Sequence, residues 1–290
     1  MPAKREEGKE PRQRRPVAKQ SVDEIELDLL TEGLYRHYGY DFRHYSRASL
    51  KRRVLGIVQK EDFDSISQLQ DHVLHDAHWA KKLVRQITVN FTEMFRDPEV
   101  FLLLRKRVLP NLATYPFLRI WHAGIASGEE VYALAIILSE LQLYKNARIY
   151  ATDINDASIQ EAKEGIYPLS KMQKYTENYI AAGGTDVFAK YYVARFNAAA
   201  FDLRLRENIT FSHYNLVTDS SFNVFNLILC RNVTIYFDED LTRRVHTVLY
   251  DSLELQGILV LGCRENLRFS PYADRYEAID RNLSVYRKIA

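Results

Sequence analysis

From about residue 117 onward, short apolar runs alternate with helix-like stretches, and this alternation restricts the possible folds more than any other feature. Residues 117–121, 147–152, 225–230 and 257–262 read as strands, with helices at 128–143, 157–165 and 239–253. Strands joined through helices imply parallel, right-handed crossovers, so the fold class is α/β with a doubly wound, Rossmann-like sheet. Residues 276–279 and 283–286 flank Asp280-Arg281-Asn282 and read as a hairpin closing that sheet. Residues 179–211 break the rhythm with Phe188, Tyr191, Tyr192 and Phe196, then alternate through Phe201, Leu203 and Leu205. They predict a small antiparallel β insertion.

The chain before the sheet is helical in pattern. Ile25, Leu27, Leu29, Leu30, Leu34 and Tyr38 recur near helical spacing up to Gly39. A second helix is expected at 49–60, a third from Ser65 with Gln68 at capping-box distance, and a fourth through Trp79, Leu83 and Ile87. Another helix, 99–109, follows Pro98. The expected division is a disordered basic tail over 1–21, a small all-α N-terminal domain over 22–89, and a sheet domain over 90–290 containing the insertion.

Charge separates the parts. Lys and Arg number 40 against 38 Asp and Glu, but seven bases and three acids fall in the first twenty residues, so the remainder sums to −2. A body without net positive charge argues against a nucleic-acid partner. Two cysteines, Cys230 and Cys263, both ending apolar runs, suit reduced thiols. No apolar run approaches the roughly 18 residues of a membrane span, so a cytoplasmic protein without membrane insertion is expected. His72, His75 and His78 precess around their helix with no cysteine nearby, so no metal site is expected.

In open parallel sheets, ligands sit beyond the carboxyl ends of the strands. The first strand runs through Gly124-Ile125-Ala126-Ser127-Gly128 into a helix opening with Glu129-Glu130. Two acids there would repel a pyrophosphate, and neither a GxGxxG nor a P-loop lysine is present. Asp153, ending the second strand, stands where a carboxylate accepts ribose hydroxyls, about twenty-five residues after Gly128. A cationic nucleoside, S-adenosylmethionine (SAM), fits these features. The alternative is that Asp153 merely caps the helix after Asn155.

Four segments then carry a resemblance. Residues 87–97, Ile-Thr-Val-Asn-Phe-Thr-Glu-Met-Phe-Arg-Asp, resemble the (I/V)T-x-N-x-T-x-FFR segment of the CheR family, the bacterial chemoreceptor glutamate methyltransferases. Ser127-Gly128-Glu129-Glu130-x-Tyr132 is similar to its STGEEPYS turn, Ala151-Thr152-Asp153-Ile154 to its A-(S/T)-D-I strand end, and residues 230–237 to its CRNVxIYF signature. The likeness covers about residues 24–289.

The resemblance implies a SAM-dependent protein-glutamate O-methyltransferase, releasing S-adenosylhomocysteine. Residue by residue, it implies that Asn90, Thr92, Arg96, Glu130, Asp153, Asn215, Leu216, Arg231 and Asn232 surround the cofactor, with Arg96 and Tyr236 as catalytic, substrate-side residues. A glutamate, with a reference pKa of about 4.3, is ionised at neutral pH and needs no general base. Carboxylate attack on a sulfonium methyl destroys opposite charges, so catalysis should come from alignment and exclusion of water. Arg47, Lys51, Arg52 and Arg53 would dock the acidic helices of a methyl-accepting receptor. Ile125 and Ala126 stand where the family has Cys-Ser, and Val131 where it has Pro. A SAM-binding regulatory module with weak or no transfer, or a methyltransferase acting on a non-receptor substrate, therefore stays open, as does the oligomeric state.

Overall fold

The structure, a computed structural model, describes residues 20–88 and 92–290; residues 1–19 of the expected tail and Asn90 lie outside the described residues, and Ser21, placed in that tail, is instead the N-cap of the first helix. Four helices form the N-terminal unit: α1 (Val22–Tyr38), α2 (Arg47–Lys60), α3 (Ile66–His75) and α4 (Ala77–Ile87). α1 stops at Gly39, whose φ of 79° is the left-handed conformation that glycine adopts without strain. The Ser65 hydroxyl accepts from the Gln68 N–H at the start of α3, as the spacing predicted. Leu27, Leu30 and Leu34 share one face of α1 and pack on Leu50, Val54, Leu69 and Leu83. Ile25 and Leu29 belong to the opposite face and are exposed, since a 3.6-residue period cannot bring 25 and 29 round to 27 and 30.

The rest of the chain forms the sheet and its covers. α5 (Pro98–Leu103) runs through a π-helical turn, Leu104–Val108, into α6 (Leu109–Leu112), where sequence predicted one regular helix. That turn carries Arg105 inward, 2.5 Å from Glu140, and both side chains are buried. There follow β1 (Leu118–Ala123), α7 (Glu129–Glu140), β2 (Ala147–Asp153), α8 (Asp156–Glu164), β3 (Ile166–Pro168), α9 (Met172–Ala181), β4 (Tyr192–Arg195), β5 (Ala198–Phe201), β6 (Ile209–His213), β7 (Phe225–Cys230), α10 (Glu239–Asp251), β8 (Leu253–Leu261), β9 (Tyr276–Asp280) and β10 (Val285–Lys288).

The main sheet has the order β6-β2-β1-β7-β8-β10-β9. Its first five strands are parallel, and the β9–β10 hairpin adds two antiparallel strands at one edge. Strand order reverses direction at β1, between β2 and β7, which sets the ligand crevice at the carboxyl ends of these strands. α7 is buried almost all round, which its near-continuous apolar sequence requires. No helix among the described residues is long and apolar enough to cross a membrane.

The antiparallel insertion is present but drawn differently. β3, β5 and β4 make a three-stranded sheet, so it begins at Ile166, before the expected limit. Leu203 and Leu205 sit in a 3-10 turn beyond β5. β6 pairs parallel with β2 at the edge of the main sheet. The sequence hid this strand because an edge strand with exposed Thr210, Ser212 and His213 lacks the apolar run of a central one.

Candidate active site

Beyond the carboxyl ends of β1, β2, β6 and β7 lies a cleft of about 750 Å³ including its open mouth. The sheet supplies the floor through Gly124, Asp153, Ile154 and the loop Tyr214–Val217, while Val233 and Tyr236 follow β7. The helical unit supplies the roof with Tyr45, Ser49, Leu50, Arg53, Ile87 and Thr88. The two units meet along backbone: Ser46 N–H donates to Tyr236 carbonyl oxygen at 2.7 Å, Asp238 N–H to His44 carbonyl at 2.9 Å, and Tyr45 bridges Phe237.

Asp153 ends β2 with one carboxylate oxygen 2.8 Å from Ala126 N–H and the other 2.9 Å from Asn155 N–H. Burial raises its pKa, and these backbone donors oppose that rise. The cap of α8 is Asn155, whose side chain accepts from Ala157 and Ser158. Asp153 is thus not spent on capping, and each oxygen keeps lone-pair capacity toward the cleft. Asn215 accepts from Val217 N–H, and its own N–H goes to Asp219, so Leu216 is held in a tight turn on the cleft wall.

Glu130, in the first turn of α7, is buried. It pairs with Arg231, and His122 Nε2 lies 3.3 Å away. The other arm of the Arg231 fork reaches Asp97 at 2.6 Å. Burial alone would raise the Glu130 pKa, but Arg231, His122 and the field of Arg96 hold it below the usual value. Arg231 is enclosed by these carboxylates, so its guanidinium orients Glu130 and the 92–97 segment from beneath. Thr92 is buried and Arg96 half-buried in that segment, between Phe95 and Asp97 at φ 53° and 55°. Backbone of that kind costs about 1–3 kcal/mol and persists only where its surroundings impose it.

The loop after β7 is imposed in the same way, by one carboxylate. Glu265 Oε2 accepts from Asn232 N–H (2.8 Å) and Gly262 N–H (2.6 Å); Oε1 accepts from Thr234 N–H (2.7 Å), Thr234 hydroxyl (2.8 Å) and Ile235 N–H (3.2 Å). Asn232 sits at φ 59° within it. Tyr236 follows, half-buried, with the Arg53 guanidinium 5.1 Å from its ring centroid. Arg53 also donates to the Ile87 carbonyl.

Of the expected site residues, Asp153, Asn215, Leu216 and Tyr236 line the cleft, whereas Glu130 and Arg231 form a buried ion-paired cluster with Asp97, and Thr92, Arg96 and Asn232 are not among its lining residues. Sequence reasoning missed three others. Arg53 looked like part of a surface patch, Glu265 like an ordinary acid after a strand, and His122 like the end of an apolar run. The signal for His122 was a polar residue at the end of an apolar run; Glu265, between Arg264 and Asn266, offered none beyond its charge. Of the expected docking face, Arg53 turns inward, while Arg47 pairs with Asp28 and Lys51 lies 3.4 Å from Asp23; Arg52 is exposed. Cys263, expected at a buried strand end, is exposed, whereas Cys230 is buried.

Comparison with known families identifies the family. Residues 90–281 match the CheR methyltransferase SAM-binding domain, and residues 25–88 the CheR methyltransferase all-alpha domain. The chain belongs to the CheR methyltransferase family. Its relatives include a Pseudomonas putida methyltransferase, Cher3, whose name marks its activity as provisional; it is 46% identical over 91% of this chain and 97% of its own length. A chemotaxis protein methyltransferase of Listeria innocua is 29% identical over 85% of the chain and 92% of its own. Chemotaxis protein methyltransferase 1 of Pseudomonas aeruginosa is 28% identical over 78% and 84%.

As a CheR methyltransferase the protein uses SAM. The cleft's lining fits it: a carboxylate acceptor at Asp153 and an apolar wall at Ile154, Leu216 and Val217, with no lysine among the described lining residues to bind a phosphate.

Proposed function

We propose that this CheR methyltransferase transfers the methyl group of SAM to glutamate carboxylates of a receptor protein in the cytoplasm, forming methyl esters. The observation that carries the reading is the lining of the cleft. Among the described residues there, no histidine, cysteine or lysine stands as a general base, the one lining carboxylate, Asp153, is held by backbone N–H groups, and the roof presents Arg53 beside Tyr236. A site with cationic and neutral donors but no base suits an acceptor that arrives already ionised.

The cofactor supplies the electrophilic methyl group. Asp153 would hold its ribose, Ile154 and Leu216 the base, and Glu130 its cationic end, with Asn90, Thr92, Asn215, Arg231 and Asn232 completing the enclosure. Arg96 would orient the glutamate carboxylate through its planar fork, and Tyr236 would add a neutral hydrogen bond. Arg53 would steer the carboxylate in from the helical unit. The chemotaxis names of several relatives support a chemoreceptor as acceptor.

The test is incubation with labelled SAM and membranes carrying receptors, scoring base-labile label on the receptor band. Arg96→Ala should lower turnover at least about a hundredfold while changing SAM affinity by no more than a few-fold. Label that resists base, or equal turnover in Arg96→Ala, would overturn the reading.

A further inference from the structure

Glu129 opens α7 beside Glu130 and is completely buried. Its Oε2 accepts from the Ser127 hydroxyl at 2.6 Å; its Oε1 accepts from the Tyr175 hydroxyl at 3.1 Å and the Lys171 ammonium at 3.2 Å. The Ser127 carbonyl accepts from the Tyr167 hydroxyl at 2.9 Å. Tyr167, Lys171 and Tyr175 all come from the single stretch β3–α9, outside the main sheet.

What they grip is the turn between β1 and α7. Ala126 there has φ 49° and Gly128 φ 88°, and a Cβ on Gly128 would lie 2.6 Å from that of Ala162. Such a turn holds its shape only if fixed from several sides. Asp153 fixes one side through Ala126 N–H. We propose that Glu129 is a positioning residue which, held by Lys171 and Tyr175, fixes the other side, so that cofactor affinity is set in part from the β3–α9 stretch. It acts through Ser127 and the turn backbone and does not touch the cofactor.

The physical reason is charge. A carboxylate with no exposure requires a counter-charge, and Lys171, whose side chain is 42% exposed, provides it from the surface. Without the ammonium, Glu129 is left a buried carboxylate without its counter-charge, which loosens its hold on Ser127. Because Lys171 is partly solvated, its replacement should disturb this hold more than it disturbs the fold.

The experiment measures SAM affinity by calorimetry and thermal stability for Lys171→Met, Lys171→Arg and Tyr175→Phe in the full chain. Lys171→Met should weaken SAM binding about tenfold, with Tm close to wild type, unchanged kcat at saturating SAM, and recovery in Lys171→Arg. Tyr175→Phe should fall between and keeps the test open if the methionine variant folds poorly. SAM affinity within twofold of wild type in both Lys171→Met and Tyr175→Phe would overturn the proposal, as would a loss that simply follows Tm and is not recovered by arginine. The inference rests on SAM binding and not on the glutamate acceptor, so its failure is distinguishable from failure of that reading.

Discussion

His246, on α10, is 1% exposed, and neither ring nitrogen has a partner. Burial lowers its pKa to about 4, against about 6.5 in an unfolded chain. The folded-state value is depressed, so as pH falls from 6.5 toward 4 the unfolded chain binds a proton that the native chain refuses. Stability is fully present above pH 6.5 and declines through that window, by about 3 kcal/mol at its end. Urea denaturation should show this loss beginning before the carboxylates protonate, and His246→Leu should flatten the profile between pH 6.5 and 5. Asp153 works in the opposite sense, since burial raises its pKa. A second residue-scale expectation concerns Tyr236→Phe, which keeps the ring against Arg53 but removes the hydroxyl. Turnover should fall about tenfold or more with SAM affinity unchanged, measured as kcat alongside a binding isotherm.

Among the elements, those with apolar runs were readable from sequence and those defined by single polar residues were not. β1, β2, β7 and β8 announce themselves because central parallel strands are buried on both faces. β6 was missed because its exposed face carries Thr210 and Ser212. Gly124 and Gly128 could be seen as a turn before a helix, yet its buttresses, Tyr167 and Lys171, lie some forty residues away in sequence, where no spacing rule reaches. The loop after β7 was recognised only through family resemblance, and its anchor Glu265 had no sequence signal beyond its charge. That anchor makes a clear prediction. Glu265→Gln would turn an amide –NH₂ toward backbone N–H donors whichever way the side chain flips, leaving at least two donors opposed. A loss of about 3 kcal/mol in denaturant unfolding is expected, with reduced turnover wherever the loop still folds.

At the scale of the whole molecule, the cleft exists only where the helical unit covers the sheet. Besides the backbone contacts, His44 lies 3.1 Å from Asp238, and Arg85 pairs with Glu161 at 2.9 Å. The basic residues of α2 therefore divide by direction: Arg52 faces solvent, and Arg53 lines the cleft beside Tyr236. Substitution should separate them. Arg52→Glu should raise the KM for receptor modestly and reduce its salt dependence, whereas Arg53→Ala should depress kcat even at saturating receptor. Equal effects of both substitutions on KM alone would place Arg53 on the docking face instead.

The backbone bond from Ser46 to Tyr236 has a consequence for anyone building chimeras between members of this family. The helical unit is stitched to the loop after β7 by its main chain as well as its side chains, so exchanging residues 22–88 alone would splice a foreign edge onto a native loop. The smallest portable cassette is discontinuous in sequence. It pairs the helices with residues 234–238, and a graft that moves both together should inherit the donor's choice of acceptor without misplacing the tyrosine.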